Sequence, residues 1–313
     1  MNPPIRIGVV GLGKIAHDQH LPTIAASKHF ELVAAASPGA SLSGIPTFQN
    51  VDELLASGVA IDALAMCQPP QLRFEAAAGA IRAGKHVLLE KPPGATVSEV
   101  EMLTALAARQ GTTLFAAWHS RHAPAVDPAR TWLAGRQVQS IDIRWQEDVR
   151  FWHVGQQWIW AAGGTGVFDP GINALSILTR LLSDPIRVLD GTMKVPANCA
   201  TPIAAELHMR SAGEVPIHAV FDWRSVGEPI WDLEVKTDAG CLYLSRGGAR
   251  LHIGGRACEI APEGEYAHLY QRFADLIADH QTDADVAPLR LVADCFLRCA
   301  SVPVEPFLDG SAP

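Results

Sequence analysis

At 313 residues, 48% of them apolar and 19% charged, the chain can bury the cores of one large or two ordinary domains and is not disordered. A formal charge of -8 with no basic cluster argues against a polyanion partner, so nucleic-acid binding is not expected. No apolar run approaches the ~20 residues that a membrane helix needs, and no membrane partner is expected either.

Residues 1 to about 120 alternate short strands with helices. Ile5–Val10 reads as a strand running straight into Gly11-Leu12-Gly13-Lys14-Ile15-Ala16, with a helix after the glycines to about Ala26. Phe30–Ala36 is a second strand, and Asn50 with Glu53 three residues on opens a short helix. Residues 61–67 give a third strand, 71–83 a helix closed by Gly84, and His86–Glu90 a fourth strand ending at Lys91. Thr96-Val97-Ser98-Glu99 is a capping box for a helix to Gln110, with Gly111 beyond it, and 113–118 is a fifth strand. Strands joined in this way predict a parallel, doubly wound sheet.

From Val138 the chain turns strand-rich, at 138–145, 187–195, 204–211, 217–223, 231–237 and 241–245. Breaks such as Asp238-Ala239-Gly240 and Gly247-Gly248 imply antiparallel neighbours. One helix interrupts early, at about 170–182, and helices at 266–279 and 288–300 close the chain. The expected class is α/β: an N-terminal Rossmann dinucleotide-binding domain over 1–120, then a substrate-binding and oligomerisation α+β domain over 121–313. The latter is built on a largely antiparallel open sheet, and the last helices are free to pack back on the first domain. Cysteines at 67, 199, 241, 258, 295 and 299 form neither a Cys-x-x-Cys pair nor a zinc-spaced cluster with histidine, so no metal is expected. Their scatter, and a start without a signal-peptide pattern, read as a reduced, cytoplasmic protein.

Gly11 suits the tight turn of a dinucleotide fingerprint, Gly13 close approach to a pyrophosphate, and Ala16 close packing of helix on strand. Free N–H groups at the helix start then face the phosphates. The second strand would ordinarily end in an acid that binds the ribose and repels a 2′-phosphate, but here Ser37 follows and no charged residue occurs from Ala34 to Val51. Neither the repulsion nor an attracting arginine is present, so both NAD and NADP are expected as cofactors, with the preference open. Gln68 and Pro69 end the third strand beside the cofactor path, as a bordering loop or a structural one. The expected cofactor contacts are Gly11, Gly13, Lys14, Ile15, Ala16, Ser37, Gln68, Pro69, Glu90 and Lys91.

Lys91 stands at the C-terminal edge of the same sheet, where open α/β folds bind ligands. With the glycine fingerprint it indicates a nicotinamide-dependent oxidoreductase. Asp169 and Asn173 are four residues apart and share one side of a helix, while Asp169 before Pro170 also reads as an N-cap with proline at N1.

Gly11-x-Gly13, Glu90-Lys91-Pro92 and Asp169-Pro170-Gly171-Ile172-Asn173 together resemble the Gfo/Idh/MocA oxidoreductases over essentially the whole chain. The longer strings Lys14–Pro22, Glu90–Thr96 and Val167–Ser176 resemble the bacterial members that oxidise L-arabinose and D-galactose. The resemblance implies oxidation of an aldopyranose at C1 to its lactone by NAD(P). Oxidation at another polyol or sugar carbon, as in inositol dehydrogenases, and a silent sugar sensor stay as alternatives. Lys91, Asp169 and Asn173 are the expected catalytic residues. A Lys91 ammonium stabilises a developing alkoxide or, with a lowered pKa, takes the hydroxyl proton itself. Many relatives carry a titratable histidine where Asn173 stands, which leaves the base to Asp169 or Lys91 and demands that both act on one nicotinamide. Expected substrate contacts, beside those three, are His119, Glu147, Trp152, His153 and Trp231, against the rival reading of core packing. Family analogy implies a dimer or tetramer paired through the second sheet.

Overall fold

The computed structural model describes residues 3–261 and 264–308, so the ends of the expected spans, 1–2 and 309–313, lie outside the described residues. Two compact units emerge: Met1–His119 with Gly264–Val286, and Ser120–Glu263 with Ala287–Pro313. The expected 121–313 span is therefore interrupted, with one of the closing helices grouped in the first unit.

In the first unit the strands are β1 (Ile5–Val10), β2 (Phe30–Ala36), β3 (Thr47–Phe48), β4 (Ala63–Met66), β5 (His86–Glu90) and β6 (Leu114–Ala117). They pair in the order β3-β2-β1-β4-β5-β6, parallel throughout, which is the doubly wound dinucleotide order. The helices are α1 (Leu21–Ala26), α2 (Val51–Ala56), α3 (Arg73–Arg82) and α4 (Val97–Gln110). Both capping signals hold: Asn50 accepts from Glu53 N at 2.9 Å, and Thr96 and Glu99 cap one another reciprocally. The helix after the glycines departs from expectation. Ala16–His20 is a π-helical turn that leads into α1. Pro22 has no N–H for the Asp18 carbonyl, which favours a locally rewound ladder, and the turn carries His20 fully inward. A helix at Glu265–Ala278, numbered α8 for its place in the chain, buries Tyr266, Leu269, Tyr270 and Phe273 against Ile7, Phe30 and Phe115.

The second unit is built on β7 (Val138–Gln146), β8 (Ile186–Pro196), β9 (Ala204–Ser211), β10 (Pro216–Asp222), β11 (Ile230–Thr237), β12 (Gly240–Ser245), β13 (Arg250–Ile253), β14 (Arg256–Ala257) and β15 (Ala300–Val304). Their order is β14-β13-β12-β11-β7-β10-β9-β8-β15. Pairing is antiparallel except for β7 with β10 and β8 with β15. β7 alternates: Ile141, Ile143 and Trp145 are buried, and the residues between them face outward. Against the inner face lies α7 (Phe168–Leu181), preceded by α5 (Val126–Leu133) and α6 (Val149–Trp152) and followed at the end by α9 (Ala287–Arg298). Gly171 lets α7 sit close, since a Cβ there would meet Phe221 at 3.1 Å.

Two expectations need correction here. α7 starts at Phe168 with Val167 as its N-cap, so Asp169 lies inside the first turn and is not the cap. Pro170 is still tolerated, because its missing N–H would belong to the unpaired first turn. The last helix ends at Arg298, and the chain continues as the edge strand β15. An edge is where Pro303 does least harm to a sheet.

Candidate active site

In the first unit the sequence-predicted residues gather at the C-terminal ends of β1, β2, β4 and β5. Gly11 takes φ +90° and a Cβ on it would meet the Gln68 backbone N at 2.7 Å, so the turn is restricted to glycine twice over. Nothing lies within 4 Å of the Cβ that Gly13 lacks, which keeps the helix start open, while Ala16 is fully buried on β1. That open cradle with free helix N–H groups fits a pyrophosphate. The Ser37 hydroxyl accepts from Leu12 N at 3.2 Å and ties the end of β2 to the glycine turn. Lys14 is exposed and paired with Asp18, and Ile15 is half-buried.

Arg73, which sequence reasoning passed over, is 2% exposed and donates to the carbonyls of Gln68, Glu90 and Pro92. One guanidinium thus fixes the loops after both β4 and β5, including the Gln68-Pro69 segment. An arginine opening an alanine-rich helix, two residues before Glu75, was the only local signal.

Glu90 turns both oxygens into the fold. Oε1 lies 3.1 Å from His20 Nε2 and accepts from the Tyr266 hydroxyl at 2.5 Å, while Oε2 accepts from Lys91 N at 2.5 Å. His20 Nδ1 is 2.7 Å from the Tyr270 hydroxyl. Burial alone would raise the Glu90 carboxyl, but the hydrogen bond and charge of His20, then His119 and Tyr266, hold it down to about 2. Burial opposes charge on His20 too, yet Cys67, Tyr270 and Glu90 push it well above the usual imidazole value. Tyr270 is itself pushed up to about 12, chiefly by burial, so the ionised neighbour in direct contact with His20 is Glu90. His119 is bonded through Nδ1 to Glu265 Oε2 at 2.6 Å and stacks on Tyr266, with centroids 5.4 Å apart. None of His20, Tyr266, Tyr270 or Glu265 was foreseen.

In the second unit five of the expected residues come together. Glu147 follows β7, is 3% exposed, and accepts from Trp231 Nε1 at 2.7 Å and Trp223 Nε1 at 3.3 Å. Trp152 ends α6, which Asp148 caps through Arg150 N at 3.0 Å; His153 follows directly. His153 Nε2 stands 3.6 Å from Asp169 Oδ2 and 3.9 Å from Glu147 Oε1. Trp152 and Trp231 present their rings to one another at 5.4 Å, and Trp231 stacks on Trp145 at 6.0 Å. Asp169 is 3% exposed, and Asn173 is half-buried one turn along α7. Carboxylates and an imidazole beside indole faces can accept hydrogen bonds from vicinal hydroxyls and cover the C–H side of a ring. Trp223, read only as a strand residue, is the member the sequence did not single out.

Residues 5–118 match an oxidoreductase family with an NAD-binding Rossmann fold, Gfo/Idh/MocA. The chain is 46% identical over 306 residues to galactose 1-dehydrogenase of Pseudomonas fluorescens, covering 98% of this chain and 99% of that one. The crystal structure of D-galactose-1-dehydrogenase from Rhizobium etli superposes with a TM-score of 0.94 at 51% identity, covering 98% and 99% of the two chains. A 3-ketoreductase from Actinomadura kijaniata, crystallised with NADP and TDP-benzene, shares the fold at a TM-score of 0.83 and 19% identity, covering 96% of this chain and 99% of its own.

Proposed function

The chain belongs to the Gfo/Idh/MocA oxidoreductase family, and from that premise we propose that it is an aldose 1-dehydrogenase for D-galactose and L-arabinose. The product is the lactone. The observation that carries this reading is the grouping of Glu147, His153 and Asp169 against Trp152 and Trp231, in a chain that matches galactose 1-dehydrogenases along nearly its whole length. D-Galactose and L-arabinose share their ring stereochemistry and differ at C5, so a pocket open beside C5 accepts both.

The cofactor is NAD or NADP, held by Gly11, Gly13 and Ala16 of the glycine turn, with Ser37 at the ribose and Gln68 and Pro69 along its path. When bound, its nicotinamide accepts hydride from the sugar carbon. Ser37 neither repels nor attracts a 2′-phosphate by charge, and both cofactors serve. Lys91 stabilises the oxygen that develops negative charge at C1, or takes its proton. Glu90 acts through Lys91, whose backbone N–H it holds, so it is a positioning residue. Asp169 is the partner acceptor for the C1 hydroxyl. Asn173, which cannot titrate, orients a hydroxyl, and Glu147, His153, Trp152, Trp231 and His119 serve substrate recognition.

No helix among the described residues is long and apolar enough to cross a membrane. Six free cysteines suit a reducing, cytoplasmic setting. The chain is assigned to a dimer or tetramer by family analogy alone. Purified protein mixed with NAD+ or NADP+ and a panel of sugars and polyols tests the assignment. Reduction by D-galactose and L-arabinose, with lactone formed, supports it. Turnover confined to inositols, or binding without turnover, refutes it.

A further inference from the structure

The outer face of the second unit's sheet carries a group of side chains that takes no part in sugar oxidation. On β9 the buried Ala205, Leu207 and Met209 alternate with outward Glu206, His208 and Arg210, so Glu206 and His208 share the outer face. β10 runs antiparallel to it, with His218 directly opposite His208, and the two imidazoles stack at 5.4 Å. β8 sets Asp190 beside His208, and β7 sets Asp142 beside His218. One donor atom from each of Glu206, His208 and His218 lies within 4.8 Å of the others.

The geometry points to a divalent transition-metal site formed by Glu206, His208 and His218 on this face. His208 commits Nδ1 to Asp190 at 2.7 Å, leaving Nε2 for a metal. His218 turns Nδ1 toward Asp142 at 3.5 Å, and its Nε2 is already 3.0 Å from Glu206 Oε1. Metal-bound histidines commonly have this surrounding: an acid takes the far N–H, fixes the tautomer and makes the ligating nitrogen more basic. Two imidazoles and one carboxylate select Zn2+, Co2+ or Ni2+ over Mg2+ or Ca2+, which take all-oxygen sets. A fourth position is left for water. A simple ladder of ion pairs accounts for each contact singly, but it does not require three donors of these types to converge. The site escapes sequence spacing rules because strand register, rather than proximity in the chain, sets residue 218 opposite 208 and diagonal to 206. It lies on the side of the sheet opposite Trp145, Leu207 and Phe221, so sugar turnover does not depend on it.

Calorimetric titration of the chelator-treated full chain with ZnCl2 alone tests the proposal. Expected is saturable uptake of one Zn2+ per chain at micromolar concentration. His208→Ala/His218→Ala removes it, and Asp190→Asn weakens it about 10–100-fold. The side chains of His208, His218 and Asp190 are 54%, 38% and 71% exposed, so the variants fold, and their retained dehydrogenase turnover checks this. Uptake that is absent, needs millimolar zinc or persists in the double variant overturns the site. Unchanged affinity in Asp190→Asn overturns the role given to the outer acids.

Discussion

In the first unit His20 has no exposed surface and faces Glu90 at 3.1 Å, whereas in the second His153 keeps 14% of its side chain exposed at 3.6 Å from Asp169 and 3.9 Å from Glu147. Both are imidazoles beside carboxylates. The first pair is closed by Tyr266 and Tyr270, and what emerges is a fixed backbone at Lys91. The second has longer separations, and its imidazole is partly exposed. A sealed ion pair holds something else in place, and the more widely spaced group is the one assigned above to sugar recognition. Buried pairs of the first kind are costly to break and give little net stability when compared with an apolar core.

This contrast predicts where substitutions act. The largest effect is expected for Lys91→Ala, with kcat down roughly 10²–10⁴-fold while cofactor titration still saturates. Near-normal turnover in that variant would refute the role given to Lys91. His20→Asn should leave the Glu90 charge unpaired and cost about 3–5 kcal/mol of folding stability, read by chemical denaturation. Its pH dependence follows from the two shifts. Glu90 drops from 4.5 to about 2 on folding, so its contribution is full above 4.5 and fades as pH falls toward 2. His20 is raised above 6.5, so its contribution is full below 6.5 and fades as pH climbs through the raised value. The gap between wild type and His20→Asn is therefore widest between about pH 4.5 and 6.5. A gap independent of pH would break the sealed-pair account.

Smaller effects sharpen the second half of the contrast. Asp169→Asn keeps size but loses basicity, and should lower kcat about 10²-fold with only a modest change in stability. Glu147→Gln turns an acceptor for two indoles into a partial donor, raising the sugar KM about tenfold through misplaced Trp231. A loss of stability without a change in KM would make Glu147 a core residue only. The smallest change is expected from Ser37→Asp, which should raise the KM for NADP about tenfold and leave NAD use nearly intact, because an acid there repels a 2′-phosphate.

Local chemistry explains what the sequence made legible. The glycine turn at Gly11 and the caps at Asn50 and Thr96 are decided within four or five residues, and their local geometry holds. The π-helical turn before Pro22 and the strand at Ala300–Val304 are short departures that no apolar periodicity announces. At the site, Glu147, Trp152, His153 and Trp231 were named through family resemblance and Asp169 also from its spacing to Asn173, and the five do come together. The His20–Tyr270 contact joins residues 250 apart, and Tyr266 reaches Glu90 across 176. Such pairings appear only once α8 has returned to the first sheet.

The account is tested most directly by incubating the protein with D-galactose deuterated at C1 and oxidised cofactor, then locating the label. It predicts deuterium in the reduced nicotinamide and galactonolactone formed in equal amount. Reduced cofactor without the label, or no reduction at all, would contradict it.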